Sequence, residues 1–334
     1  MKILITGGCG YVGTVLTQEL LQQDHDICVV DALWFGNFLQ PHNNLTVIKE
    51  DIRNVDAIRL AGVETIIHLA NIANDPSVEL DQTLSWEVNV LASQQLADRA
   101  VRAGVKQFIF ASSGSVYGVK EEAQVTEDLT LVPVSAYNKT KMVTERVLLS
   151  YANEMQVHCI RPATVCGYSP RMRLDVSVNM LTIQALINGR ITVFGGQQTR
   201  PNIHIQDMKR VYQHFLENSD LPSGCYNAGF ENISILNIAE RVKQSVPAEI
   251  VLTESDDPRS YRQNSDKLVS TGFRPEFVIF KQTNTTGNWA MIDGTRSYHN
   301  VGNHTLAANL DSKESSFGGG ESVGGASNKV DLVS

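Results

Sequence analysis

Thr6-Gly7-Gly8-Cys9-Gly10-Tyr11-Val12-Gly13 is the stretch on which the reading of this chain turns. Before it, Lys2-Ile3-Leu4-Ile5 is an apolar run of buried-strand length. After it, Val12, Val15, Leu16, Glu19 and Leu20 recur at helical spacing. A strand, a glycine-rich turn and a helix in that order make a phosphate cradle. Gly7 allows a sharp turn, Gly10 has no Cβ to hold a pyrophosphate away, and Gly13 lets the helix pack close. The N–H groups of Tyr11, Val12 and their neighbours, at the positive end of the helix dipole, then face the phosphates. A second strand, Asp26-Ile27-Cys28-Val29-Val30, ends in Asp31. That is about 20 residues past the glycines, where a carboxylate binds both ribose hydroxyls and repels a 2′-phosphate. The expected cofactor is NAD rather than NADP.

Working outward, 334 residues with 42% hydrophobic content allow one large domain or two moderate ones with a substantial core. A net charge of −8, without a basic stripe, argues against a nucleic-acid partner. Five cysteines are an odd count without paired ligand spacing, so they read as small buried hydrophobes in a reducing compartment, with no metal site. The first strand begins at Lys2, which leaves no room for a signal peptide, and no stretch approaches the length of a membrane span. The expectation is a cytoplasmic protein without a membrane partner.

Strand-like runs follow at Leu45–Ile48, Thr65–Ala70, Phe108–Ala111 and Val157–Ile160. Helical patterns lie between them at Val55–Leu60, Ser85–Ala103 (closed by Gly104) and Ala136–Tyr151. Alternating strands and helices predict an α/β, Rossmann-type, doubly wound parallel sheet with ligands at the carboxyl ends of its strands. The second half is less regular, with a helix within Ser169–Gly189, a strand at Ile191–Phe194 and a helix at Ile235–Ser245.

Tyr137 and Lys141 stand four apart, on one face of their helix. An ammonium beside a phenol favours the phenolate, and a phenol tuned toward neutral pH serves as a general base toward a sugar hydroxyl. The pair follows Ser112-Ser113-Gly114-Ser115-Val116-Tyr117-Gly118 by one loop.

With these motifs together, the chain resembles the extended short-chain dehydrogenase/reductases, in the branch of NAD-dependent nucleotide-sugar epimerases and dehydratases. The resemblance runs from Lys2 to about Phe280. It implies that the glycine loop holds NAD, that Asp51-Ile52 meets the adenine, and that Leu69 and Ala70 of His68-Leu69-Ala70 lie at the nicotinamide side. Asn89 falls at the family's helix asparagine, a cofactor position, and Ser113, Tyr137 and Lys141 fall at its catalytic positions. Arg161-Pro162-Ala163-Thr164-Val165-Cys166-Gly167 resembles the crossing into the substrate lobe. Arg200, in Arg200–Asp207, resembles a substrate-phosphate arginine, and Arg259, in Asp257–Arg262, a later phosphate contact. The resemblance divides the chain into an NAD domain, 1–167 with 196–230 returning to it, and a smaller substrate lobe, 168–195 with 231–280. In the family's dehydratases an Asp-Glu pair follows the catalytic Thr, whereas Gly114 and Ser115 supply no acid or base here. The implied activity is epimerisation at C4 through a 4-keto sugar. A dehydratase, 4-dehydrogenase or decarboxylase of the same family is the alternative, and a non-catalytic NAD or sugar-nucleotide binding module is the reading from another class. The paired helices Ser85–Ala103 and Ala136–Tyr151 resemble the family's dimeric bundle and imply a homodimer.

Other residues carry two readings each. Arg171 and Arg173, in the loop entering the substrate lobe, suit phosphate or sugar oxygens or else form a surface ion-pair cluster. Asn179 either reaches the nucleotide diphosphate or caps a turn. Trp34-Phe35 either closes over adenine or anchors its loop, and His68 reads as a packed structural residue. From about Lys281 to Ser334 the family's closing amphipathic helix is missing, and a Gly/Asn/Ser-rich tail stands instead, loop-rich, disordered or fused.

Overall fold

Alternation of buried residues explains the central sheet. A computed structural model describes residues 1–255 and 260–276 in full, and beyond them the backbone of four short strands. The elements run β1 (Lys2–Thr6), α1 (Tyr11–Gln22), β2 (Asp26–Asp31), β3 (Leu45–Lys49), β4 (Thr65–His68), α2 (Asp75–Leu80), α3 (Gln82–Trp86), α4 (Ala92–Ala103), β5 (Gln107–Ala111), α5 (Ala136–Leu149) and β6 (Gln156–Pro162). They continue with β7 (Thr164–Cys166), α6 (Ser177–Asn188), β8 (Arg190–Phe194), β9 (Thr199–His204), α7 (Ile205–Glu217), β10 (Gly224–Ala228), β11 (Glu231–Ser234), α8 (Ile235–Ser245), β12 (Glu249–Thr253) and α9 (Asp266–Ser270).

Seven strands pair in the order β10-β6-β5-β4-β1-β2-β3, all parallel. Ile3, Ile5, Ile67, Ile109 and Ile160 face one side, against Leu16 and Leu20 of α1 and Val211 and Phe215 of α7. Leu4, Ile66, Phe108, Phe110 and Val157 face the other, against Leu96, Ala97 and Ala100 of α4 and Leu148 of α5. Burying each such side chain stabilises the fold by about 1.5–3 kcal/mol. The order reverses between β1 and β4, so a crevice opens at the carboxyl end of β1, where the glycine loop lies. This is the Rossmann-type fold that the alternating pattern predicts.

β7, β9 and β11 form a small sheet, and β8 pairs with β12. Over them α6 and α8 close a separate core of Leu181, Ala185, Ile191, Val193, Ile238 and Val242. Two elements differ from the sequence expectation. Val55–Ala57 is a single 3₁₀ turn rather than a helix, because Ile58 leaves it in extended conformation and runs into the core. The Ser85–Ala103 helix starts earlier, at Gln82, and is interrupted at Glu87–Leu91 by a turn of the wider π type. It ends at Gly104, whose φ of 75° closes α4. α7 has no counterpart in the sequence reading, although Met208, Val211, Tyr212 and Phe215 carry helical spacing.

Past Glu276, the described strands Phe277–Phe280, Ala290–Asp293, His304–Ala307 and Ser315–Ser316 pair as an antiparallel meander. The expected loop-rich or disordered tail, 281–334, otherwise lies outside the described residues. So does Arg259. All five cysteines are free, and no group of side chains among the described residues could hold a metal ion. No helix among them is long and apolar enough to cross a membrane.

Candidate active site

The glycine loop forms because β1 must turn sharply into α1 at the crevice. Gly7 adopts φ 72°, and a Cβ there would lie 2.6 Å from the Ala70 nitrogen on β4's exit. At Gly13 a Cβ would lie 2.4 Å from the Gly7 carbonyl oxygen, so only glycine lets the first turn of α1 close on its own loop. α1 has no side-chain cap and no acidic residue in its first turn. Its N-terminal N–H groups therefore offer an anion an unopposed partial positive charge.

A cleft of about 850 Å³ runs from this loop to the Arg171–Asp175 loop and β9. It is lined by Gly7, Gly10, Tyr11, Val12, Gly13, Asp31, Asp51, Ile52, Leu69, Ala70, Ser113, Tyr137, Lys141, Arg171 and Arg200 among others, so these predicted site residues share one cavity. Asp31 accepts from the Cys9 N–H at 3.0 Å and the Leu33 N–H at 2.8 Å, which fixes its carboxylate at the end of β2. Arg53 chelates Asp51, with Nη2 2.8 Å from Oδ2, and holds that carboxyl below its ordinary pKa. The Tyr11 hydroxyl donates to the Gly167 carbonyl at 2.7 Å, tying the glycine loop to the segment that follows β7.

At the cleft's inner end, Ser135 caps α5 and accepts from the Asn138 N–H at 3.2 Å. That fixes the start of the helix at Ala136 and turns Tyr137 and Lys141 toward the exit of β5. Ser113 shares a hydrogen bond of 2.7 Å with Ser115, which donates to Asn138 at 2.5 Å. Lys141 is buried; its Nζ donates to the Ala111 carbonyl at 2.6 Å and lies 4.8 Å from the centre of the Phe110 ring. Burial pulls the Lys141 pKa down to about 7, with Glu145 opposing that fall. The Tyr137 pKa stands above its ordinary value, pushed up by burial and held back by Arg173 and Ser113. The sequence predicts a phenol lowered by Lys141. In the protein alone the direction is reversed, because the low-polarity wall that holds the phenol disfavours its anion more than the neighbouring charges favour it.

Two predicted site residues are not in the cleft wall. Asn89 is buried in the π turn, where its amide accepts from the Ile72 N–H at 2.7 Å and donates to Thr140 at 3.1 Å. The wide turn frees its carbonyl for the hydroxyls of Ser93 and Thr144, so it braces the wall from behind. Asn179 accepts from the Gly167 N–H at 2.9 Å and donates to the Tyr11 hydroxyl at 3.0 Å and the Arg173 carbonyl at 2.8 Å. Both N–H groups of its amide are thus engaged within the protein, and they tie the loop before α6 to Tyr11. Arg171 stacks on Phe35 at 3.9 Å, at the mouth of the cleft, with Trp34 and Phe35 exposed rather than buried as loop anchors. Arg200 stacks on Tyr261 at 5.4 Å. His68 is a packed residue, bonded to Thr6 at 2.6 Å and Ser93 at 2.8 Å, with burial taking its pKa down to about 3.

Asn74, Asn138, Asp175 and Tyr261 also line the cleft, and none of them stands out in the sequence as a site residue. Arg173 pairs with Asp175 at 2.8 Å, and Asp175 accepts from Asn74 at 2.8 Å across the cleft. The pairing of Arg173 with Asp175 matches the ion-pair reading of that loop. Asn74 carries no sequence signal, since its φ of 69° emerges only from the fold.

A dinucleotide crevice continuous with a Ser–Tyr–Lys wall is the architecture of the extended short-chain dehydrogenase/reductases. The chain belongs to the NAD dependent epimerase/dehydratase family, whose model matches residues 3–229. Residues 259–334 match a second model, a domain of unknown function (DUF7483). An uncharacterised UDP-glucose epimerase of Bacillus subtilis, YtcB, is 31% identical over 271 residues, 77% of this chain and 85% of the relative. A UDP-glucose 4-epimerase of Corynebacterium glutamicum is 26% identical, over 89% of this chain and 98% of the relative. The structure of a UDP-glucuronic acid 4-epimerase variant from Bacillus cereus, with NAD and a fluorinated UDP-sugar, superposes with a TM-score of 0.74 at 28% identity, covering 82% of this chain and 94% of that one. The cofactor is NAD, and the bare N-terminus of α1, the Asp31 carboxylate and the volume of the cleft fit it.

Proposed function

We propose that this chain is an NAD-dependent nucleotide-sugar epimerase acting at C4 through a transient 4-keto sugar. The observation that carries the reading is the convergence of Ser113, Tyr137 and Lys141 on the same cleft as the glycine loop and Asp31. In this reading Tyr137 is the general base that takes the C4 hydroxyl proton, and Ser113 donates a hydrogen bond to the same oxygen as charge develops. NAD held by the glycine loop and Asp31 would supply reversible hydride transfer at C4, to either face of the ring. Because burial disfavours the Tyr137 phenolate, the base depends on nearby positive charge: that of Arg173, and in this reading that of Lys141, whose Nζ lies 5.9 Å from the Tyr137 ring centre, and of the oxidised nicotinamide.

The other contacts assigned by this reading follow the cleft. Gly7, Gly10, Tyr11, Val12 and Gly13 would hold the pyrophosphate, Asp31 the adenosine ribose, Asp51 and Ile52 the adenine, and Leu69 and Ala70 the nicotinamide side. Arg200 would take a substrate phosphate. Epimerisation is favoured over 4,6-dehydration by Gly114 and Ser115. A Cβ at 114 would lie 3.0 Å from Gln263 Nε2, so any side chain there would press on that buried amide, which must give by a few tenths of an ångström. The named relatives make a UDP-hexose the first substrate to try. A homodimer through α4 and α5 belongs to the same reading, supported by Trp86 and Leu91 exposed on that face.

The test is turnover of a UDP-hexose carrying deuterium at C4. Retention of the label at C4 in the epimer is the expected outcome; loss of the label to solvent would refute hydride return.

A further inference from the structure

The face of α5 that carries Tyr137 and Lys141 continues one turn further to Glu145, and all three side chains meet the exit of β5. Lys141 donates to the Ala111 carbonyl, Glu145 accepts the Ser112 hydroxyl, and Ser113 acts on Tyr137. Glu145 and Arg161 are both almost fully buried, at 1% and 3% exposure, and lie on different elements. Arg161 grips Glu145 with two parallel bonds, Nε to Oε1 and Nη2 to Oε2, each 2.9 Å. Its Nη1 donates to the Tyr117 hydroxyl at 2.7 Å, which donates to Asn227 at 2.8 Å. Gln263 closes the network, donating to the Arg161 carbonyl at 2.7 Å and to Asn227 at 3.0 Å. One buried pair thus ties α5, the end of β5, β6 and β10 together.

Stability alone does not account for such a pair, since an apolar pair of similar volume commonly serves as well or better. An apolar pair could neither accept the Ser112 hydroxyl nor set a negative charge one helical turn behind Lys141. We propose that Glu145, held by Arg161, is a positioning residue for the Ser113–Tyr137–Lys141 set: it locks α5 in register against the end of β5 and backs the Lys141 ammonium with a carboxylate. The proposal rests on the reading of Tyr137 as the base. The other titratable groups acting on Lys141 or Tyr137 are His68 on β4, Asp75 on α2, Arg173 before α6 and Tyr212 on α7. His68 stays neutral, which leaves Glu145 as the carboxylate that favours the charged lysine. Removing that carboxylate lowers the charge on Lys141 at a given pH and so raises the pH at which Tyr137 ionises.

The test is the near-ultraviolet phenolate titration of the NAD-loaded protein, with the Tyr137→Phe titration subtracted so that Tyr137 alone is read. In Glu145→Gln the Tyr137 titration should move up by about one pH unit. With a turned-over nucleotide sugar, kcat should fall about tenfold while KM changes little, because Glu145 acts on charge development at Tyr137 and not on sugar binding. Glu145→Asp, which keeps the charge, should recover part of both. An unmoved titration in folded Glu145→Gln overturns the proposal, since a merely structural role would not shift it. Should Glu145→Gln fail to fold, the paired Glu145→Gln/Arg161→Gln protein, which leaves no lone buried charge, is titrated instead. The same upward displacement then supports the proposal, and its absence overturns it. A displaced titration with no turnover of any nucleotide sugar would leave the positioning role standing and remove the epimerase reading.

Discussion

Tyr137 is held in its neutral form by burial, yet the chemistry assigned to it needs the phenolate. Replacing it by Phe should lower kcat by roughly 10²–10⁴-fold, the usual range for a lost general base. NAD affinity should stay within a few-fold, as measured by calorimetry on the same preparation. Lys141 and His68 set a pH signature on the protein without cofactor. Burial depresses both pKa values, Lys141 to about 7 and His68 to about 3, so in each window the unfolded chain binds more protons than the folded one. Stability therefore rises with pH from about 7 toward the unfolded lysine value near 10.4, and falls with acidification from about 6.5 toward 3. Lys141→Met should flatten the alkaline rise in chemical denaturation curves, and His68→Gln the acid loss. An alkaline rise that persists in Lys141→Met would assign it to other groups.

At the scale of elements, the β1–α1 unit shows how a local pattern becomes a site. In Gly13→Ala the new methyl would lie 2.4 Å from the Gly7 carbonyl, against backbone that cannot yield cheaply. The loop must open, and NAD affinity should fall at least about tenfold, a change of about 1.4 kcal/mol, while circular dichroism stays that of the parent. Unchanged affinity would mean that this loop does not hold the cofactor. The glycine loop, Asp31 and the Tyr137–Lys141 pair are legible in the sequence because each is set within one loop or one helical turn. The roles of Asn89 and Asn179 are not, because their partners are remote in sequence: Asn179 meets Tyr11 across 168 residues. The π turn at Glu87–Leu91 breaks an otherwise continuous helical pattern, and it is what turns Asn89 toward the Ile72 backbone, behind the cleft wall. Strands β7 and β11 are short, and their pairing with β9 is not encoded in any local period. The apolar stripe of α7 is present in the sequence, but its first turn overlaps the Arg200–Asp207 stretch, whose resemblance is to a phosphate-binding segment.

For the whole molecule, every described residue lining the cleft precedes Arg262, while the second matched domain model extends to residue 334. We expect proteolytic cleavage within 281–334 to leave NAD affinity unchanged, as followed by calorimetry on nicked protein. A large loss would tie that segment to the cleft. What the cleft does with a sugar is read from proton NMR in heavy water. With NAD and a panel of nucleotide sugars, the account predicts a C4 epimer with no deuterium incorporated, because the hydride never leaves the site. A 4-keto-6-deoxy product with deuterium at C5 or C6 would contradict the account and return the chain to the dehydratases.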